Sequence, residues 1–274
     1  MKQIIGFQAA ENYLQQGECT ELPCPAADTA QTVKPALAEV QFESCHRTLS
    51  YYNDRFPLQV GDTVFVEGKL AGCRGKVVSL CYNFKIKLSD YKRIIGVANT
   101  DVHGQFYMMG PVMLSFDAAA LPYEKAASWF LPPADPDEEI VCGSDAQSFL
   151  LADTAAWNMP CAVLDRGLDY LTANRIAYLS LAGSEGRALV KGSEVYEVAF
   201  RYENGEISAL TCSCFCSGAC KHEAAALMLL RQLLQSIAQN YGEAYAASGF
   251  FAAVNKADFC CTLLAGKESG SLII

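Results

Sequence analysis

The spacing of apolar residues changes along the chain, and the changes divide it into parts. Over Phe7–Gln16 the pattern predicts a short amphipathic helix, followed by an irregular strap with several prolines. From Ala36 the period becomes two. Ala38, Val40 and Phe42 alternate with polar partners, as do Val64 and Val66, and Gly61, Gly68, Gly72 and Gly75 punctuate the stretch. Short strands at such spacing, turned by glycine, predict a small β-barrel. YEKAASWFL reads as a short helix and LPPADPDEE as an acidic, proline-rich break. SDAQSFLLADTAAWN reads as a helix capped by Ser144. Strands return from Arg166, with hairpin signals at Gly183–Gly186 and at Asn204–Gly205. KHEAAALMLLRQLLQSIAQN is helical, with Ala226, Leu230, Leu233 and Ile237 on one stripe.

Composition narrows the class. With 51% hydrophobic residues, 274 residues and a net charge of −9, the chain buries a real core and is not disordered. No signal peptide is written in MKQIIGFQAAENYLQQGE, and no run approaches the ~20 apolar residues of a membrane span. The expectation is a cytoplasmic protein with no membrane partner, whose 13 cysteines are reduced. Clustered cysteines are then metal ligands before they are disulfides. The charge is uneven. Cys45–Ile95 holds nine Lys/Arg against four acids, a net +5, which leaves −14 on the rest. One anion-friendly region on an acidic body is the picture this suggests.

The chemistry concentrates in Cys212-Ser-Cys214-Phe-Cys216-Ser-Gly-Ala-Cys220-Lys-His222, five soft or borderline ligands in eleven residues. A Cys-x-Cys pair leaves a strand, a glycine-containing loop follows, and a Cys-x-His pair opens a helix. Two close pairs on a flexible loop can wrap one tetrahedral ion. Cys212, Cys214, Cys220 and His222 are the expected zinc ligands, with Cys216 as a spare, fourth thiol able to compete. A closed set of four leaves no open position for water, so the zinc is expected to be structural. Three histidines leave little material for a catalytic set, and no GxSxG, GxGxxG or HExxH pattern occurs. Cys260 and Cys261 read as buried small apolar residues.

Cys-x-Cys, short gap, Cys-x-His and an Ala/Leu helix, preceded by KGSEVYEVAF, resemble a SWIM zinc finger, as found attached to bacterial Swi/Snf-type helicases. The resemblance implies a zinc module that binds DNA or protein; no helicase motor motif accompanies it. More weakly, VGDTVFVEGKLAGCRGKVVSL is similar to a KOW-type, SH3-like barrel motif, whose basic turns meet phosphate. That makes Lys69, Arg74, Lys76, Lys85 and Lys87 candidate nucleic-acid contacts. Tyr51, Tyr52, Tyr82, Phe84 and Tyr91 offer rings for bases, or for a core.

The expected architecture is α+β, a small N-terminal β-barrel joined to a C-terminal β-hairpin, zinc-finger and helix domain. Residues 1–35 form a helix and strap, 36–125 the barrel with an irregular extension, and 126–160 an acidic boundary and helix. Residues 161–240 form the finger, and 241–274 a helix and closing strand packed on it. The expected function is non-catalytic binding of DNA or protein, the alternative being a protein-interaction adaptor for a separate helicase-type motor. No small-molecule substrate is evident.

Overall fold

The computed structural model describes residues 4–6, 33–42, 46–133, 147–265 and 271–273. The helix expected at Phe7–Gln16, most of the strap and the Ser144 cap lie outside them. After β1 (Ile4–Gly6) come β2 (Ala36–Phe42), β3 (Arg47–Asn53), β4 (Thr63–Val66), β5 (Gly75–Cys81) and β6 (Ile94–Val97). β2 to β6 form one antiparallel sheet in the order β3-β2-β5-β4-β6. The period of two becomes alternating burial: Ala38, Val40 and Phe42 face Val64, Val77 and Ile94 in a small core.

Bulges at Glu39/Val40 and Phe65/Val66 bend this sheet. Its edges meet at an isolated bridge between Tyr52 and Arg93, where the Tyr52 N–H donates to the Lys92 carbonyl at 2.9 Å. Arg93 adds an ion pair to Asp54 and lies over the Tyr52 ring. No ladder closes the sheet, so the expected barrel is corrected to an open, curled sheet. Of its edge strands β3 and β6, β6 has only four residues, too few for a continuous closing ladder. Tyr51 is buried against Phe42 and belongs to the core.

β7 (His103–Gln105), β8 (Tyr107–Met109) and β9 (Val112–Ser115) lead into α1 (Tyr123–Phe130), the helix expected from YEKAASWFL. Then come β10 (Phe149–Leu150), α2 (Cys161–Thr172), β11 (Ile176–Ala182), β12 (Glu185–Lys191), β13 (Val195–Glu203) and β14 (Glu206–Cys212). The chain continues through α3 (Lys221–Asn240), α4 (Gly242–Ser248), β15 (Phe250–Asn255), α5 (Lys256–Ala265) and β16 (Ser271–Ile273). An eight-stranded antiparallel sheet runs β10-β14-β13-β12-β11-β15-β9-β8, and a three-stranded one β1-β16-β7. No helix of the described residues is long and apolar enough to cross a membrane.

The large sheet is covered on both faces. Leu179, Leu181, Phe251 and Ala253 pack toward α3, while Tyr178, Ala252 and Val254 pack toward Trp129 of α1 and Phe259 of α5. The runs IAYLSL and FFAAV are continuous rather than alternating because both faces of β11 and β15 are buried. β15 lies between β11 and β9, pairing with β11 along Tyr178–Ala182. Cys260 and Cys261 are exposed on α5, contrary to the expectation of burial. The Asn204–Gly205 turn has φ of 50° and 89°, as its hairpin requires.

Two segments depart from the pattern. Within SDAQSFLLADTAAWN the described residues form β10 and a 3-10 turn over Thr154–Trp157, not a helix. Phe149 pairs with Ile207, and the buried Trp157 donates Nε1–H to the Leu151 carbonyl at 3.3 Å. Pairing and indole burial override the local helical period. Conversely, α2 occupies residues where strands were expected. Its Gly167 lowers helix propensity but permits the close crossing with α3: a Cβ there would sit 2.6 Å from the Ala224 Cβ.

Gly167→Ala therefore destabilises, although the same change in an exposed helix stabilises. Overpacking of about 1–3 kcal/mol lowers Tm by roughly 3–10 °C in a chain of this size. Ala224→Gly added to it recovers part of the loss. A calorimetric Tm that rises in Gly167→Ala would contradict this crossing.

Candidate metal centre

The site lies where β14 hands over to α3, and a bulge sets it up. β13 pairs Ala199 with Thr211 but Arg201 with Ser208, so β14 carries extra residues opposite Phe200. Ala209 there has φ of 50°, and a non-glycine residue in that region bears a modest strain. The bulge shifts the phase of β14: Ile207, Leu210 and Cys212 all face the core under α3. A regular strand would put Cys212 on the opposite face from Ile207.

Cys220 begins α3. Its Sγ accepts from the Glu223 N–H at 3.4 Å, and a Glu223 carboxylate oxygen accepts from the Cys220 N–H at 2.8 Å. This is a capping box with sulfur in the serine position. His222 follows in the first turn and is 4% exposed. Its ring stacks on Tyr196, with centroids 4.4 Å apart and planes 22° apart, and meets the edge of Tyr170 of α2 at 5.4 Å.

These elements bring the four expected ligands together. The ligand atoms of Cys212, Cys214, Cys220 and His222 all lie within 4.8 Å of one another. His222 Nδ1 is 3.7 Å from Cys212 Sγ and 3.8 Å from Cys220 Sγ. Around a tetrahedral zinc, sulfur at ~2.3 Å and nitrogen at ~2.0–2.1 Å would be ~3.6 Å apart, and two sulfurs ~3.8 Å. The cluster fits an ion of that size, with donors soft enough for zinc. Cys216 is exposed, and its backbone N–H donates to the Cys214 thiol.

Protonation follows the same geometry. Burial raises the Cys214 thiol to about 11. A hydrogen bond with Cys212, then burial, pushes Cys220 higher still. Burial, helped by Lys221, lowers His222 to about 4. The imidazole is thus neutral and able to ligate. The thiols hold their protons unless a cation among them favours thiolate. His222 Nε2 is buried without a hydrogen-bond partner, and Gly192 is beside it. A ligating histidine usually hands that N–H to an acceptor; here ring packing against Tyr196 and Tyr170 fixes the imidazole.

The expected nucleic-acid contacts are exposed but scattered over three segments. Lys69 and Arg74 lie in the β4–β5 connection, Lys76 on β5, and Lys85 and Lys87 in the β5–β6 connection. The Arg74 guanidinium lies 5.7 Å over the Phe130 ring, so part of its charge faces α1. Tyr82 is exposed beneath Lys34, and Tyr52 and Phe84 pack edge to face. A separate apolar cleft of about 400 Å³ between α2, α3 and the β8–β9 turn is lined by residues such as Leu168, Leu171, Leu229 and Leu233.

Sequence reasoning missed Tyr170, because α2 itself was missed, and the β14 bulge, which carries no glycine or proline to announce it. Phe215 was noted only as a spacer, yet it is 100% exposed.

No family model matches the chain, nor does any curated protein or solved structure.

Two outcomes follow. Gly192→Ala puts a Cβ 2.8 Å from the Tyr196 ring and 3.3 Å from His222 Nε2; zinc affinity, read by competition with a chromogenic chelator, falls roughly ten-fold or more. Zinc affinity also falls as pH drops from 8 to 6, by up to about a thousand-fold per unit if three thiol protons are displaced on binding. His222, held to about 4, contributes nothing to that slope. A flat profile would mean that the thiols are not ligands.

Proposed function

We propose that this chain is a non-catalytic, zinc-binding module of the SWIM type that acts in the cytoplasm by binding nucleic acid. The observation that carries the reading is the convergence of three sulfurs and one imidazole nitrogen at the β14–α3 junction. Bound there, zinc would pin the end of β14 and the following loop to the start of α3. The four residues use up a tetrahedral coordination shell, which favours a structural role over hydrolysis. The exposed Lys69, Lys76, Lys85 and Lys87 supply phosphate contacts in this reading.

A second reading, an adaptor that binds protein and works with a separate helicase-type motor, is favoured by one observation. Outside residues 45–95 the chain carries −14, and acidic surfaces repel a polyanion.

The metal assignment is tested by mass spectrometry of the native protein, which should show one zinc per chain, and none in Cys220→Ala or His222→Ala. Chelation should remove the circular-dichroism signal of the β14–α3 region while the five-stranded sheet stays folded, because its core shares no residue with the finger. Unchanged spectra after chelation, with no zinc in the untreated protein, would defeat the reading.

A further inference from the structure

The loop between the two ligand pairs, residues 213–219, carries one large side chain. That side chain is Phe215, and its exposure is 100%. Its neighbours in the loop are Ser213, Cys216, Ser217, Gly218 and Ala219, which shield nothing. A phenylalanine placed wholly in water gains no burial from folding. Two fixed points nonetheless hold it in place, since Cys214 before it and Cys220 after it both belong to the metal cluster.

Two cations stand at this end of α2 and α3, with Asp165 and Asp169 also exposed on α2. Lys221 follows directly on Cys220, and its electrostatic neighbours include Arg166 of α2 and the thiol of Cys216. Its ammonium group lies 4.8 Å from the centre of the Tyr170 ring and hydrogen-bonds with the Tyr170 hydroxyl. Arg166 and Tyr170 are four residues apart on α2, hence on one helical face, and Arg166 is exposed. The outward ring of Phe215 is thus one residue from Cys216, whose thiol has Lys221 as an electrostatic neighbour, and Lys221 in turn has Arg166.

Resting on the nucleic-acid reading, we propose that the finger tip binds single-stranded nucleic acid, with a base stacked on Phe215 and flanking phosphates held by Lys221 and Arg166. The chemistry selects single strands. A duplex keeps its base faces stacked on each other, whereas an unpaired base offers one to a ring. Stacking on phenylalanine reads no base edge, so the contact tolerates any sequence. Two phosphate contacts make binding weakly salt-dependent, unlike a broad basic groove. The finger tip is thereby the contact point, and the scattered lysines of the curled sheet are secondary.

Fluorescence anisotropy of a labelled oligo(dT) with the full chain tests this. At low salt the wild type binds oligo(dT) and binds a hairpin duplex far more weakly. The slope of log K against log salt is about −1.4, near 0.7 for each of two phosphates. Phe215→Ala weakens binding roughly 5- to 150-fold, the range for one stacked base, and Phe215→Trp restores it. Lys221→Ala flattens the salt slope by about 0.7. Zinc content and Tm of the Phe215 variants match the wild type, because a fully exposed side chain has no packing to lose. Oligo(dT) affinity unchanged in Phe215→Ala would overturn the proposal. So would a zinc-loaded wild type that fails to bind oligo(dT) at low salt, and that result leaves the metal module standing with the protein-adaptor reading. A wild type without zinc is a different failure, of the module itself.

Discussion

Three thiolates cannot be packed into a space under 5 Å across without something positive among them, and that requirement governs the C-terminal half of the molecule. Burial drives the Cys214 thiol toward its neutral form, and a hydrogen bond with Cys212, then burial, does the same for Cys220. A divalent cation among them would reverse the preference, and the four donors are close enough together to hold one. The imidazole arrives already neutral, so it competes for the ion without first losing a proton. An ion bound there would couple the order of the 213–219 loop to coordination, because the candidate ligands come from a strand end, that loop and a helix start.

The rest of the architecture supplies the positions. The eight-stranded sheet, buried on both faces around β11 and β15, is the rigid platform. The β14 bulge turns that platform's strand phase so that Cys212 looks toward α3, at the cost of a left-handed alanine. Gly167 lets α2 approach α3 closely enough for Tyr170 to reach the imidazole, and Gly192 leaves room on its other side. These glycines act through close contact rather than through unusual backbone angles; neither has the positive φ that marks the hairpin glycines.

The site was more legible in the sequence than the frame that holds it. Ligand spacing is a local property, so Cys212, Cys214, Cys220 and His222 could be paired by reading eleven residues. The Asn204–Gly205 hairpin and the α3 stripe were likewise written in short-range pattern. What escaped depends on contacts distant in sequence. α2 was hidden by a mid-helix glycine whose reason lies on α3, 57 residues later at Ala224. The segment before Trp157 looked helical until its pairing with Ile207 is seen. Curvature of the five-stranded sheet was implied by its glycines, but whether its edges join depends on the length of its edge strand β6, which periodicity does not fix.

Cys220 does two jobs with one sulfur, as N-cap of a 20-residue helix and as a member of the ligand set. Serine, one atom different, is the stronger cap and a poor donor to a soft ion. A change to serine at this position would keep the capping hydrogen bond and give up the soft donor, so the two jobs separate at a single atom. Whether this corner of the molecule can hold a soft ion is therefore decided at that one residue rather than by the overall shape.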